Sequence, residues 1–99
     1  MPMSVEEEIP TIYIGKKPLI SYIIVAISML LNEKVRKIRI SARGAGISRA
    51  VDVSEILRTR YLPKIIDIER INIGTDTLKN PEGRIDRVSF IEIVLVKKV

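Results

Sequence analysis

Residues 35–52 read V-R-K-I-R-I-S-A-R-G-A-G-I-S-R-A-V-D, and this stretch decides the fold. In its first half, over Val35–Ser41, Ile38, Ile40 and Ala42 alternate with Lys37, Arg39 and Ser41. A period of two with one apolar face is a strand buried on one side. Arg43, two glycines around Ala45, and Arg49 follow. Helical spacing then takes over at Ile47, Ala50, Val53, Leu57 and Tyr61, until Pro63 ends the pattern. The chain is therefore expected to leave a strand through a flexible cationic loop and enter a helix over residues 47–61. Bare backbone N–H groups, positive charge and a helix N-terminus together favour a phosphate.

A second corner of the same kind lies upstream at Gly15-Lys-Lys-Pro18, after a short strand over Thr11–Ile14. Pro18 suits the first turn of a helix, where its missing N–H costs nothing. Leu19, Ile20, Ile23, Ile24, Ile27, Leu30 and Leu31 continue at helical spacing with few polar interruptions, which predicts cover on both sides of this helix. Downstream, Ile65–Ile73 reads as a strand whose phase slips between Ile68 and Ile71, the mark of a bulge. Val88–Val96 is a strand apolar on both faces, which predicts a subunit interface or a helix layer on each side. Asn80-Pro-Glu-Gly83 has the residues of a type I turn. The flanking strands are expected to continue into it as an arm reaching about 20 Å, with Lys79, Arg84 and Arg87 along it. The order is β-α-β-α-β-β. It forms one domain over residues 10–99 behind a polar, acidic tail over residues 1–9 that is expected to be disordered.

Composition narrows the function. The 99 residues carry 17 Lys and Arg against 12 acids, a net charge of +5. Such a bias supports a polyanionic partner only where the charge is focused. The chain has no Cys and no His, which removes thiol and imidazole chemistry and Cys/His zinc sites. Asp52 with Glu55, and Asp67 with Glu69, are paired carboxylates with basic neighbours and no Cys or His in the chain to partner them, so no catalytic site, metal or cofactor is expected. Lys16-Lys17 ahead of Leu19–Leu31 imitates a signal peptide, but acids precede it and no cleavage site follows. The run is also too short to cross a bilayer, and no membrane role is expected. Heavy use of Ile, Lys, Arg and Glu fits a thermophilic source. Taken singly, each cationic element has a plain alternative: solvated turn lysines, Arg49 paired with Asp52 or Glu55, and arm arginines guarding a strand edge.

Four segments together point further. They are I-G-K-K-P at 14–18 with Tyr22 beyond it, A-R-G-A-G-I-S-R-A-V-D at 42–52, E-I-L-R-T-R-Y-L-P at 55–63, and G-R-I-D-R-V-S-F-I-E-I at 83–93. In this order the chain resembles the Alba family of archaeal chromatin proteins. The resemblance implies a two-layer α/β sandwich similar to the C-terminal domain of translation initiation factor 3. It implies a dimer, homotypic or with a paralogue, that binds double-stranded DNA and RNA without sequence preference. Lys16, Lys17, Arg43, Arg49, Lys79, Arg84 and Arg87 would be the nucleic-acid-binding residues. Lys16 would be open to acetylation, and Tyr61 would pack dimer against dimer. Location would be cytoplasmic and chromosome-associated. An RNA-binding subunit of a ribonucleoprotein such as an RNase P-like particle is the alternative, and a module for protein assembly is a third reading.

The chain departs from the family pattern R-G-R. Ala45 stands in place of the second arginine, Gly46 where Ala or a polar residue is usual, and Ser41 replaces a frequent lysine. Fewer phosphate contacts predict weaker binding and a salt slope shallower by roughly 0.9 per lost contact on duplex DNA. With few aromatics in the chain, base stacking is expected to contribute little.

Overall fold

The computed structural model describes residues 8–98. Of the tail expected over residues 1–9, residues 1–7 lie outside the described residues. The elements are β1 (Thr11–Tyr13), α1 (Leu19–Leu31), β2 (Lys37–Arg43), α2 (Ile47–Ile56), β3 (Ile66–Lys79) and β4 (Ile85–Lys97). They build a four-stranded sheet in the order β1-β2-β4-β3, with both helices against one face. β1 and β2 run parallel, while β2–β4 and β3–β4 are antiparallel.

Register explains the core. Ile38 pairs with Leu95, Ile40 with Ile93, and Ala42 with Ile91, so one face of the central strands is wholly aliphatic. Against it pack Tyr22, Ile23, Ala26 and Leu30 of α1 and Ala50 and Val53 of α2. β-branched residues suit a pleated surface that helices must cover. The stretch with the look of a signal peptide is thus a core helix. It is covered on one side only, because Ile20, Ile24 and Leu31 are exposed.

On the second apolar face of β4 the described residues place no helix layer, so of the two expected covers the subunit interface remains. Val94 is nonetheless only 1% exposed. Its register neighbours are Arg39 and Arg70, whose aliphatic stems suit the cover of a central apolar residue on the face it shares with Phe90 and Val96. The expected bulge is present as a register shift between Ile68 and Arg70, which leaves Glu69 extra and within 2.9 Å of the Lys37 ammonium.

The hairpin arm is as long as the spacing predicts. β2 ends opposite Phe90, and five ladder pairs, from Thr75–Ser89 to Lys79–Ile85, run on beyond it, a reach of about 20 Å with the turn. The turn is built by Asn80. Its carbonyl accepts from Gly83 N at 3.0 Å, and its side-chain oxygen accepts from Glu82 N at 3.0 Å and Arg84 N at 2.9 Å. Gly83, at φ +86°, takes the left-handed position that closes it. At the arm's root, a Cβ on Gly74 would stand 2.7 Å from the Phe90 ring, so only glycine leaves the ring room to lie across the ladder.

Candidate nucleic-acid interface

The C-terminal ends of β1 and β2, the N-termini of both helices and the root of the arm all meet at one end of the sheet. Parallel pairing of β1 with β2 puts the two cationic corners side by side, with Ile14 N donating to Ser41 O at 2.8 Å. Lys16, Arg43 and Arg49 line one shared recess of about 450 Å³ together with Gly15, Ala45 and Gly46. Lys16 and Lys17 are exposed. Neither helix has a side-chain cap or an acidic residue in its first turn, so their positive ends are not neutralised locally.

The corner is more ordered than the sequence suggests. The expected loop around Arg43 does not form. β2 starts and ends two residues later than the expected Val35–Ser41 and carries Arg43 as its last residue. Gly44–Gly46 then make one tight 3₁₀ turn straight into α2. Gly44 adopts φ +52°, which a residue with a Cβ rarely tolerates, and Val88 of the arm leaves only 3.3 Å for one.

Nor are the backbone N–H groups of the lysine turn bare. The Tyr22 hydroxyl, one helical turn into α1, accepts from Gly15 N at 2.8 Å and from Lys17 N at 3.1 Å. Burial pushes this phenol up, but the two N–H donors and the Arg49 and Lys17 charges outweigh it and hold the group below the ordinary phenol value. Arg49 completes the clamp from α2. Its Nε donates to Gly15 O at 3.0 Å, and its Nη2 donates to Lys17 O. Arg49 therefore bonds neither Asp52 nor Glu55. It ties the lysine turn to the second helix and brings its own charge to the same spot.

Arg43 is also engaged. Its Nε lies 2.9 Å from the Asp76 carboxylate at the base of the arm. Lys79, Arg84 and Arg87 sit exposed on the arm, apart from the corner. Tyr61 is 49% exposed as the last residue of a π-helical turn over Leu57–Tyr61 that follows α2, roughly 20 Å of helix from Gly46. Within that turn Arg58 is bidentate to Glu55, at 2.7 and 2.8 Å, and its hydrogen bond holds the Glu55 carboxyl below the usual carboxylate range. The structure thus gathers Lys16, Lys17, Arg43 and Arg49, sets Lys79, Arg84 and Arg87 on a projecting ribbon, and leaves Tyr61 at the opposite end.

Sequence reasoning missed Tyr22 as the anchor, Asp76 as the partner of Arg43, and the pairing of Phe90 with Gly74. For Tyr22 a signal existed: a hydroxyl-bearing aromatic on the buried side of an otherwise aliphatic helix needs a polar partner nearby. For Asp76 none did, because the contact spans the sheet.

Known proteins share this fold. Residues 10–75 match the family model for Alba. Alba from Thermoplasma volcanium is similar in structure, with a TM-score of 0.76 and 41% sequence identity over 87% of this chain and 98% of that one. ALBA1 from Trypanosoma brucei shares the fold at a TM-score of 0.69 and 22% identity, over 93% of this chain and 72% of that one.

Proposed function

The chain belongs to the Alba family, whose members are non-enzymatic nucleic-acid-binding proteins that form dimers, and from that premise we propose that it coats double-stranded DNA and RNA as a dimer without sequence preference. The observation that carries this reading is the cationic corner, where Lys16, Lys17, Arg43 and Arg49 gather near two helix N-termini whose first turns hold no acid, with Asp76 at the base of the arm paired to Arg43. Cations held there displace condensed counterions from a sugar–phosphate backbone. The arm, starting from the same end, extends the contact toward a groove. No base-reading side chain is needed for such binding, only a continuous electropositive rim. The function in the cell is chromosomal compaction in the cytoplasm. Acetylation of Lys16 would remove one charge from the rim.

Dimer formation has a ready surface. On the core-side face of β3, Ile71 and Ile73 are 53% and 77% exposed, and Val51 of α2 is exposed as well. β3 is also an edge strand of 14 residues. A soluble chain seldom leaves such a patch to water. Tyr61, at the other end, is available for contacts between neighbouring dimers along the polymer.

The test is a salt titration of affinity for duplex DNA and for structured RNA, paired with sedimentation of the free protein. A steep linear fall of log affinity with log salt, alike for unrelated sequences, and a dimeric mass are expected. A flat salt dependence would leave protein assembly as the better reading.

A further inference from the structure

The helix-free face of the sheet holds a second recess, of about 520 Å³, lined by Tyr13, Ser41, Arg43, Asp76, Phe90 and Glu92. It differs from the cationic corner in composition. Tyr13 stands on β1 with 76% of its surface exposed, an unusual position for an aromatic in a strand paired with a central neighbour. On the ladder, Tyr13 pairs with Ser41 and Ser41 with Glu92, while Arg43 pairs with Phe90, which lies over Gly74. The two rings are thus two strands apart, about 10 Å across the sheet, with polar side chains between them.

We propose that this recess binds one unpaired nucleotide of a single strand, RNA or DNA, with its base stacked on Tyr13 and its phosphate on Arg43. This rests on the nucleic-acid-binding reading above and adds to it a site that the interior of a duplex cannot fill, because stacked, paired bases offer neither a free face nor a free Watson–Crick edge. The chemistry of each wall fits. An exposed phenol ring gives a stacking platform that tolerates any base. The Asp76 and Glu92 carboxylates and the Ser41 hydroxyl accept hydrogen bonds from the amino and imino groups of a Watson–Crick edge. Arg43 is shared by both recesses, so a strand that lays its phosphates along the corner can turn a base over Arg43 onto the open face. The apolar patch at Ile71 and Ile73 lies on the opposite face, and two chains joined through it leave the recess open.

The experiment titrates the full chain into single strands carrying 2-aminopurine, in ribose and deoxyribose forms, and into a duplex of the same sequence, at one fixed salt concentration. The variants are Tyr13→Ala and Tyr13→Phe; the exposure of this side chain keeps both folded. Wild type and Tyr13→Phe should quench the 2-aminopurine emission. Tyr13→Ala should abolish the quench and weaken single-strand binding roughly 5- to 150-fold, the range of one lost base–aromatic stack, while duplex affinity stays within about two-fold. Quenching of both sugars supports recognition through base and phosphate; quenching of the ribose strand alone supports the same site with an added 2′-hydroxyl contact. No quench by wild type, with salt-dependent duplex binding intact, overturns this site but not the broader reading. Equal weakening of single strand and duplex by Tyr13→Ala also overturns it. Absence of duplex binding by wild type would overturn the broader reading itself.

Discussion

The corner and the arm both carry arginine and lysine, yet they are built on different principles. Over residues 14–18 and 41–49 the corner has Lys16, Lys17, Arg43 and Arg49 and no acid. Over residues 75–89 the arm has Lys79, Arg84 and Arg87 with Asp76, Glu82 and Asp86, so it is formally neutral by sequence, although Asp76 pairs its charge with Arg43 of the corner. The corner is also cross-braced, by the Tyr22 hydroxyl from α1 and the Arg49 guanidinium from α2. The arm is a two-stranded ribbon closed by the local bonds of Asn80. Charge that is dense and pre-ordered binds a polyanion without first ordering the chain. Charge that is balanced and borne on a ribbon contributes reach more than affinity. The difference teaches that counting cations overstates the arm and understates the corner.

The comparison breaks most directly at the lysines. Lys16→Ala with Lys17→Ala should give the largest loss of all, lowering the salt slope by about 1.8 per chain, from roughly 0.9 for each phosphate contact, alike for every sequence. Unchanged affinity at moderate salt would transfer the interface away from the corner. Next comes the brace. Tyr22→Phe leaves Gly15 N and Lys17 N without their acceptor and should cost about 1 kcal/mol in thermal or chemical denaturation. It should also weaken binding several-fold while leaving the salt slope nearly unchanged, since no cation is lost.

The same substitution removes a signature in pH. Because the folded Tyr22 phenol sits below its ordinary value, its ionisation favours the folded state. That contribution is present above the unfolded phenol's pKa and is lost as pH falls through the folded one. Ultraviolet titration of wild type should show one tyrosine ionising early, and Tyr22→Phe should lack that step.

Two smaller changes sharpen the contrast from the arm's side. Asp76→Asn frees Arg43 from its carboxylate at 2.9 Å and should tighten duplex binding a few-fold at low salt, raising the slope by up to about 0.9 as one more cation meets phosphate. Weaker binding in that variant would mean that the ion pair instead holds the arm in its productive direction. Arg84→Ala with Arg87→Ala should have the smallest effect, a slope change below about 0.9 per chain, measured by the same titration. A loss as large as that of the lysine pair would show that the arm, despite its neutrality, inserts both arginines where the field is strongest.

Much of this was legible in the chain. Alternation over residues 35–42 announced β2, helical spacing announced both helices, and the phase slip after Ile68 announced the bulge, because these are periodic signals read within one element. Asn80-Pro-Glu-Gly83 announced the turn and the length of the arm, because turn chemistry is local. The end of β2 was misjudged, since Ala42 and Arg43 continue the alternation and only pairing with Ile91 and Phe90 shows that they belong to the ladder. What lies against the second apolar face of β4 is not legible either, since sequence does not reveal that register puts Arg39 and Arg70 beside Val94.

By itself the sequence determined the elements, their order and the supply of cations, since each depends on neighbours within a few residues. Only the tertiary structure decided what those cations do. Parallel pairing of β1 with β2 brought two corners 27 residues apart in numbering, Lys16 and Arg43, into one recess. It turned Arg49 into a brace, tied Arg43 to Asp76, and left Tyr13 standing on an open face beside them. Such roles depend on distance through space, and a linear pattern has no term for it.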